Sequence, residues 1–186
     1  MRALLLLAGA VLALPLHAAQ LSVDLANGSR TWSTEQLLTH PQARDIDIPD
    51  DVSYKRPMHY RAVPVAALLD GVASDAHLQA VATDGFAAEM PAGPLLQKSG
   101  SQAWLAVEDP AHPWPGLSKD KSSAGPFYLV WTDPAASGIS PEQWPYAVGK
   151  IRLLASVAER FPALLPDAGL AANDPVNQGF ELFQKN

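Results

Sequence analysis

Lys55, Arg56, His59 and Arg61 stand together in the stretch "YKRPMHYR", in a chain whose acidic residues outnumber its basic ones. Guanidinium and ammonium groups gathered this closely suit a carboxylate or phosphate, with Arg offering a planar fork and Lys a point charge. A solvated basic loop has the same composition. A second group lies in "EDPAHPWPGLSKDKSS", where Trp114 precedes Lys119 and Lys121. An aromatic beside cations can hold a ligand or partner, and it can equally fold onto a sheet edge within a proline-braced loop. Met58, His59 and His112 supply thioether and imidazole donors of the kind copper accepts, although the mature histidines, His40, His59, His77 and His112, lack the i, i+4 spacing of a zinc site. Ser122 and Ser123 have no His and acid at a spacing that reads as a triad.

The absence of cysteine narrows the chemistry further. It excludes disulfides, thiolate metal ligation, thiol catalysis, lipid acylation and thioether attachment of haem within this chain. Met1 and Arg2 lead into the apolar run "ALLLLAGAVLALPL" of 14 residues, and "HAAQ" follows with small residues. This is the pattern of an export signal over 1–19, too short to span a bilayer, which takes about 20 residues. The expected product is periplasmic, begins at Gln20 and keeps no membrane span. Its 167 residues carry 12 basic and 19 acidic side chains, a net charge of −7 that argues against nucleic acid and suits docking to another protein.

The elements that must position these residues are mostly strands. "LSVDLANGSRTW" alternates on one face and turns at Asn27-Gly28, which predicts a hairpin, and "STEQLLTH" predicts a short capped helix that stops before Pro41. "ARDIDIPDDVSY" alternates again, whereas "YRAVPVAALLDGV" reads as an extended piece entering a helix that ends at Gly71. "LQAVATDGFAAEMP" predicts two strands around Asp84-Gly85, where Asp84 serves the turn. "AWLAVED" and "PFYLVWTD" read as buried strands and "YAVGKIRLLASVAE" as the last one, with Trp32, Trp104, Trp131 and Trp144 in the core. Residues 109–126 form a long aperiodic loop. Residues 160–174 read as a linker, and Asp174-Pro175 opens a final helix over 175–186 with Val176, Phe180 and Phe183 on one face. The fold class is α+β, a mixed β-sheet with few short helices.

In this order, "YRAVPVAALLDGV", "LQAVATDGFAAEMP", "AWLAVEDP", "GPFYLVWTDP" and "EQWPYAVGKIRLL" resemble the "GVPL..LL" helix, "DGY" hairpin, "LA" strand, "GP.RLV.P" strand and closing "W...I..I" strand of the sulfite oxidase (molybdopterin-binding) family. The resemblance runs from about Leu21 to Leu154, so the domain is expected over 20–159. It implies a molybdenum-ligating cysteine between Asp50 and Tyr54 and an arginine after the "GP", and this chain has neither. It also places Lys55 to Arg61 near the former cofactor pocket, where cations meet the pterin phosphate. The terminal "NQGFELFQKN" resembles the first helix of a class I cytochrome c, "G..LF...C..CH", whose first cysteine would follow directly after Asn186.

These readings combine into an expected periplasmic, cofactor-free molybdopterin-fold module of a c-type cytochrome, docking or positioning a redox partner, with no catalytic residue readable. Haem c would belong to the protein only beyond Asn186. The rival expectations are a molybdopterin-dependent oxidoreductase with an atypical metal ligand, and a free-standing periplasmic module for a small anion or peptide. Lys55, Arg56, His59, Arg61, Trp114, Lys119 and Lys121 are the expected contacts.

Overall fold

The computed structural model describes residues 19–171 and 173–185, so the export-signal reading of 1–19 lies almost wholly outside the described residues. The chain begins with the expected hairpin, β1 (Gln20–Leu25) and β2 (Gly28–Ser33), which pair from Gln20↔Ser33 to Leu25↔Gly28. Gly28 takes φ +127° at the turn, a conformation open to glycine and costly for residues with a Cβ. Helix α1 (Thr34–Leu38) starts where Ser33 accepts from the Gln36 N–H while the Gln36 side chain accepts from the Ser33 N–H. That reciprocal pair satisfies two groups that a helix N-terminus leaves open.

Strands β3 (Arg44–Ile48) and β4 (Met58–Pro64) follow, then one 3-10 turn at Val65–Ala67. The helix expected in "YRAVPVAALLDGV" is therefore reduced to a single turn. Pro64 remains in register with Trp104 as a strand residue, and the chain turns again at Asp70 and Gly71, so no length is left for a longer helix. Strands β5 (His77–Ala82) and β6 (Ala87–Pro91) form the second hairpin, followed by the short helix α2 (Ala92–Leu95). Strands β7 (Gln102–Val107) and β8 (Phe127–Thr132) flank the long loop, and β9 (Val148–Leu153) is the last strand.

The class is α+β as expected, but the strands divide between two sheets instead of forming one. A five-stranded mixed sheet has the order β2-β1-β9-β5-β6, with β1 and β9 parallel, and a four-stranded antiparallel sheet has the order β3-β4-β7-β8. Every residue of β7 is buried because α1, α2 and the Val65–Ala67 turn pack onto it. This explains why β7 and β8 read as continuous apolar runs. Trp32, Trp104, Trp131 and Trp144 are all buried. The Leu129 N–H donates to the Pro145 carbonyl at 3.0 Å, so the segment after Gln143 covers the edge of β8.

Beyond β9 the chain forms a short helix, α3 (Val157–Arg160), a 3-10 turn at Pro162–Leu164, and α4 (Pro175–Lys185). The Asp174 carboxylate accepts from the Val176 N–H at 2.9 Å, as expected of a cap. Phe180 and Phe183 stack at 6.5 Å on α4, and Val176, Leu182 and Phe183 are exposed. Among the described residues no helix is long and apolar enough to cross a membrane.

Three strands of the mixed sheet meet at Asp24, which accepts from the Ser22 and Ser29 hydroxyls and pairs with Lys150 at 3.1 Å. The Ser29 bond foremost, then Ser22 and Lys150, hold its carboxyl at about 2, against 3.8 for a free side chain. The folded state therefore binds this proton less readily than the unfolded chain. Its contribution is complete above about pH 4 and is lost as the pH falls through about 2. Asp24→Asn is expected to flatten that part of the profile, which thermal melts between about pH 4 and about pH 2 measure. An unchanged profile would contradict it.

Candidate functional site

The loop between β3 and β4 is built around Asp51, a carboxylate only 2% exposed. Its Oδ1 accepts the backbone N–H groups of Ser53 at 2.9 Å and Tyr54 at 2.8 Å and the Tyr128 hydroxyl at 3.2 Å, while Oδ2 accepts the Tyr60 hydroxyl at 2.8 Å. The Lys55 N–H donates to the Asp51 carbonyl and the Asp51 N–H to the Arg56 carbonyl, which closes residues 51–56 into a ring. Lys55 has φ +54°, a left-handed conformation that costs a residue with a side chain and that this ring enforces. No cation pairs with Asp51 among the described residues. Four donors do that work instead, consistent with the rule that buried charge must be hydrogen-bonded.

The tyrosines extend the network. Burial, reinforced by the bond to Asp51, pushes the Tyr60 hydroxyl far above the ordinary phenol range, and burial raises Tyr128 as well. Both are therefore donors at any physiological pH. Trp114 packs edge-on against Tyr60 with ring centroids 4.8 Å apart, so the Trp114 loop folds onto the sheet, one of the two readings its sequence allowed. The Tyr54 hydroxyl accepts from the Ala124 N–H at 2.8 Å, tying the 51–56 ring to the far end of the same long loop.

Bordering the ring is an open recess of about 610 Å³, lined by Tyr54, Arg56, Lys119 and Lys121 with residues 115–118. The lysines are brought there by a tight turn, in which the Leu117 N–H donates to the Ser122 carbonyl and the Lys121 N–H to the Ser118 carbonyl. Gly116 permits the turn, since a Cβ there would lie 2.3 Å from the Lys121 carbonyl oxygen. Glu108 braces the base of the loop through the Trp114 N–H at 2.7 Å and the Ser123 hydroxyl at 2.9 Å. Arg56, Lys119 and Lys121 make no ion pair among the described residues.

The structure therefore joins Arg56 to Lys119 and Lys121 and separates the other expected contacts. Arg61 faces Asp45 at 3.6 Å, and His59 Nδ1 lies 2.8 Å from the Asp47 carboxylate, both across the β3–β4 ladder. Lys55 is exposed on the ring but does not line the recess. The copper candidates do not converge. Met58 packs against the core, His59 follows it on a strand and so points to the opposite face, and His112 Nδ1 is 3.1 Å from Asp109. Among the described residues no group of three or more His, Cys, Asp or Glu could hold a metal ion.

The ring also borders a cavity of about 320 Å³ that the sequence did not single out, lined by Val52, Phe86, Trp144, Tyr146 and the acidic residues Asp84 and Glu142. Asp84 accepts the Phe86 N–H at 3.0 Å, which orients the hairpin tip. Glu142 sits on a 3-10 turn capped by Ser140 and Gln143 and anchored by the Trp131 indole N–H on the Gln143 carbonyl at 2.8 Å. The only sequence signal for this cavity is Phe86 after Asp84-Gly85, a large apolar side chain at a hairpin tip.

Comparison of the chain with known protein families and with curated proteins returns no match.

Asp51→Ala leaves two buried hydroxyls and two N–H groups without their acceptor. The expected loss of stability is about 3 kcal/mol or more, read from the urea midpoint. A loss below about 1 kcal/mol would show that water replaces the carboxylate and that the ring does not depend on it.

Proposed function

We propose that the chain is an exported, cofactor-free binding domain that grips a carboxylate or phosphate group of its partner between Arg56, Lys119 and Lys121. The observation that carries this reading is the convergence of three cations without ion pairs, from two loops more than sixty residues apart, into one recess of an acidic protein. Arg56 offers a fork and the lysines two mobile point charges, a combination suited to an oxyanion. The recess is open, so an anionic group on a protein surface can reach it as readily as a small molecule.

The setting follows the two sequence resemblances. In a sulfite-oxidase-like fold the metal ligand belongs between Asp50 and Tyr54, and the inward-facing residue of that segment here is Asp51. Both its oxygens are committed to donors of the fold, and the chain contains no cysteine, so the residues present do not fit the molybdenum centre of that family. The domain is then the amino-terminal docking module of a c-type cytochrome, and α4, with the Phe180–Phe183 pair on its surface, is the first helix of the haem domain. In this arrangement the haem would carry electrons and the recess would orient the redox partner, with the net negative charge of the chain disfavouring anionic proteins that do not fit the recess.

Titration with inorganic phosphate, followed by amide chemical shifts, tests the recess. Saturable shifts are expected at Arg56 and at 116–121, weakening as salt is added. Lys119→Glu combined with Lys121→Glu is expected to abolish them, whereas Arg61→Glu, which alters the pair with Asp45, leaves them in place. Equal loss in both variants would mean that net charge alone is being read.

A further inference from the structure

The cavity between Phe86 and Glu142 is opposite in charge to the basic recess. It is lined by three aromatic rings, two carboxylates, and no lysine or arginine. Of the rings that line it, Trp144 is 4% exposed, while Phe86 at 56% and Tyr146 at 41% reach solvent. Exposing two large aromatic side chains is unfavourable in water, and here both border a single concavity. Its volume of about 320 Å³ lies at the small end of the usual range for ligand sites, roughly 300–1,000 Å³.

The electrostatics select the ligand. The faces of Phe, Tyr and Trp rings carry negative potential and attract cations, most strongly those with thin hydration shells such as alkylated ammonium groups. Asp84 and Glu142 add formal negative charge at the same opening, and Glu142 makes no hydrogen bond or ion pair among the described residues. A carboxylate ligand would be repelled, and a neutral apolar ligand would leave both carboxylates without a counter-charge.

We propose that this cavity is a binding site for a small alkylated ammonium ion, held against Phe86, Trp144 and Tyr146 and neutralised by Asp84 and Glu142. The site is rigid by construction. Asp84 fixes the Phe86 backbone, the Trp131 indole fixes the turn bearing Glu142, and Pro145 between Trp144 and Tyr146 is bonded to the edge of β8. It shares the 51–56 ring with the basic recess but none of its cations, so the two sites take ligands of opposite charge. The proposal stands independently of the anion-binding reading.

The test is a calorimetric titration of the full exported chain with tetramethylammonium chloride and, in parallel, with neopentyl alcohol, an uncharged and soluble analogue of similar shape. Saturable binding of the cation is expected, with an affinity at least about tenfold above that of the alcohol. Phe86→Ala should weaken it about fivefold to thirtyfold, and Glu142→Gln about threefold, with melting curves showing that both variants remain folded. Choline and a trimethyllysine peptide then separate the two sources of the group: tighter choline assigns a free ion, a tighter peptide assigns a modified protein. No saturable binding, equal affinity for the alcohol, or retention of affinity in both variants would overturn the proposal.

Discussion

A buried carboxylate that has no cation beside it must be satisfied entirely by hydrogen-bond donors, and Asp51 draws those donors from three separate parts of the chain. Two come from its own loop, one from Tyr60 on β4 and one from Tyr128 on β8. Any arrangement that failed to bring them together would leave a buried charge exposed to an apolar interior, at a cost of several kcal/mol. The 51–56 ring is therefore fixed to the antiparallel sheet with little freedom. Lys55 can be held at positive φ for this reason.

Both recesses take their shape from that ring. Its Tyr54 and Arg56 line the recess together with the 116–121 turn, and its Val52 and Ser53 line the cavity together with the Phe86 hairpin and the segment 141–146. The long loop contributes through Tyr54 and Trp114, the first accepting the Ala124 N–H and the second packing on Tyr60. Residues of one six-residue ring thus line both a cationic recess and an aromatic, anionic cavity. The loop built on Asp51 is thus a structural hub, and its residues border both recesses.

Most of the strand order was legible in the sequence, because alternation and turn residues act locally. Asn27-Gly28, the capped start of the helix after β2, Asp84-Gly85 and Asp174-Pro175 all do in the structure what their chemistry predicts. The division into two sheets was not legible, since it depends on which strands pair across long separations, such as β1 with β9 and β4 with β7. The helix after Pro64 was over-read because "VAALL" has helical periodicity but too little chain between a strand and a glycine turn. Of the expected contacts, Arg56, Lys119 and Lys121 come together, whereas His59 and Arg61 face aspartates that alternate along β3. Asp51 was invisible for a related reason. It is one of four acids between Asp45 and Asp51, and nothing in their sequence says which one turns inward.

Amide hydrogen exchange at Ser53 and Tyr54 tests the central role of Asp51 most directly, because both N–H groups sit in a loop and owe their protection to that single carboxylate. The account predicts that they exchange as slowly as the amides of β7 and β8, opening only with the whole domain. Exchange as fast as that of the exposed loop amide of Lys119 would contradict it, and would reduce Asp51 to a surface-loop residue on which neither recess depends.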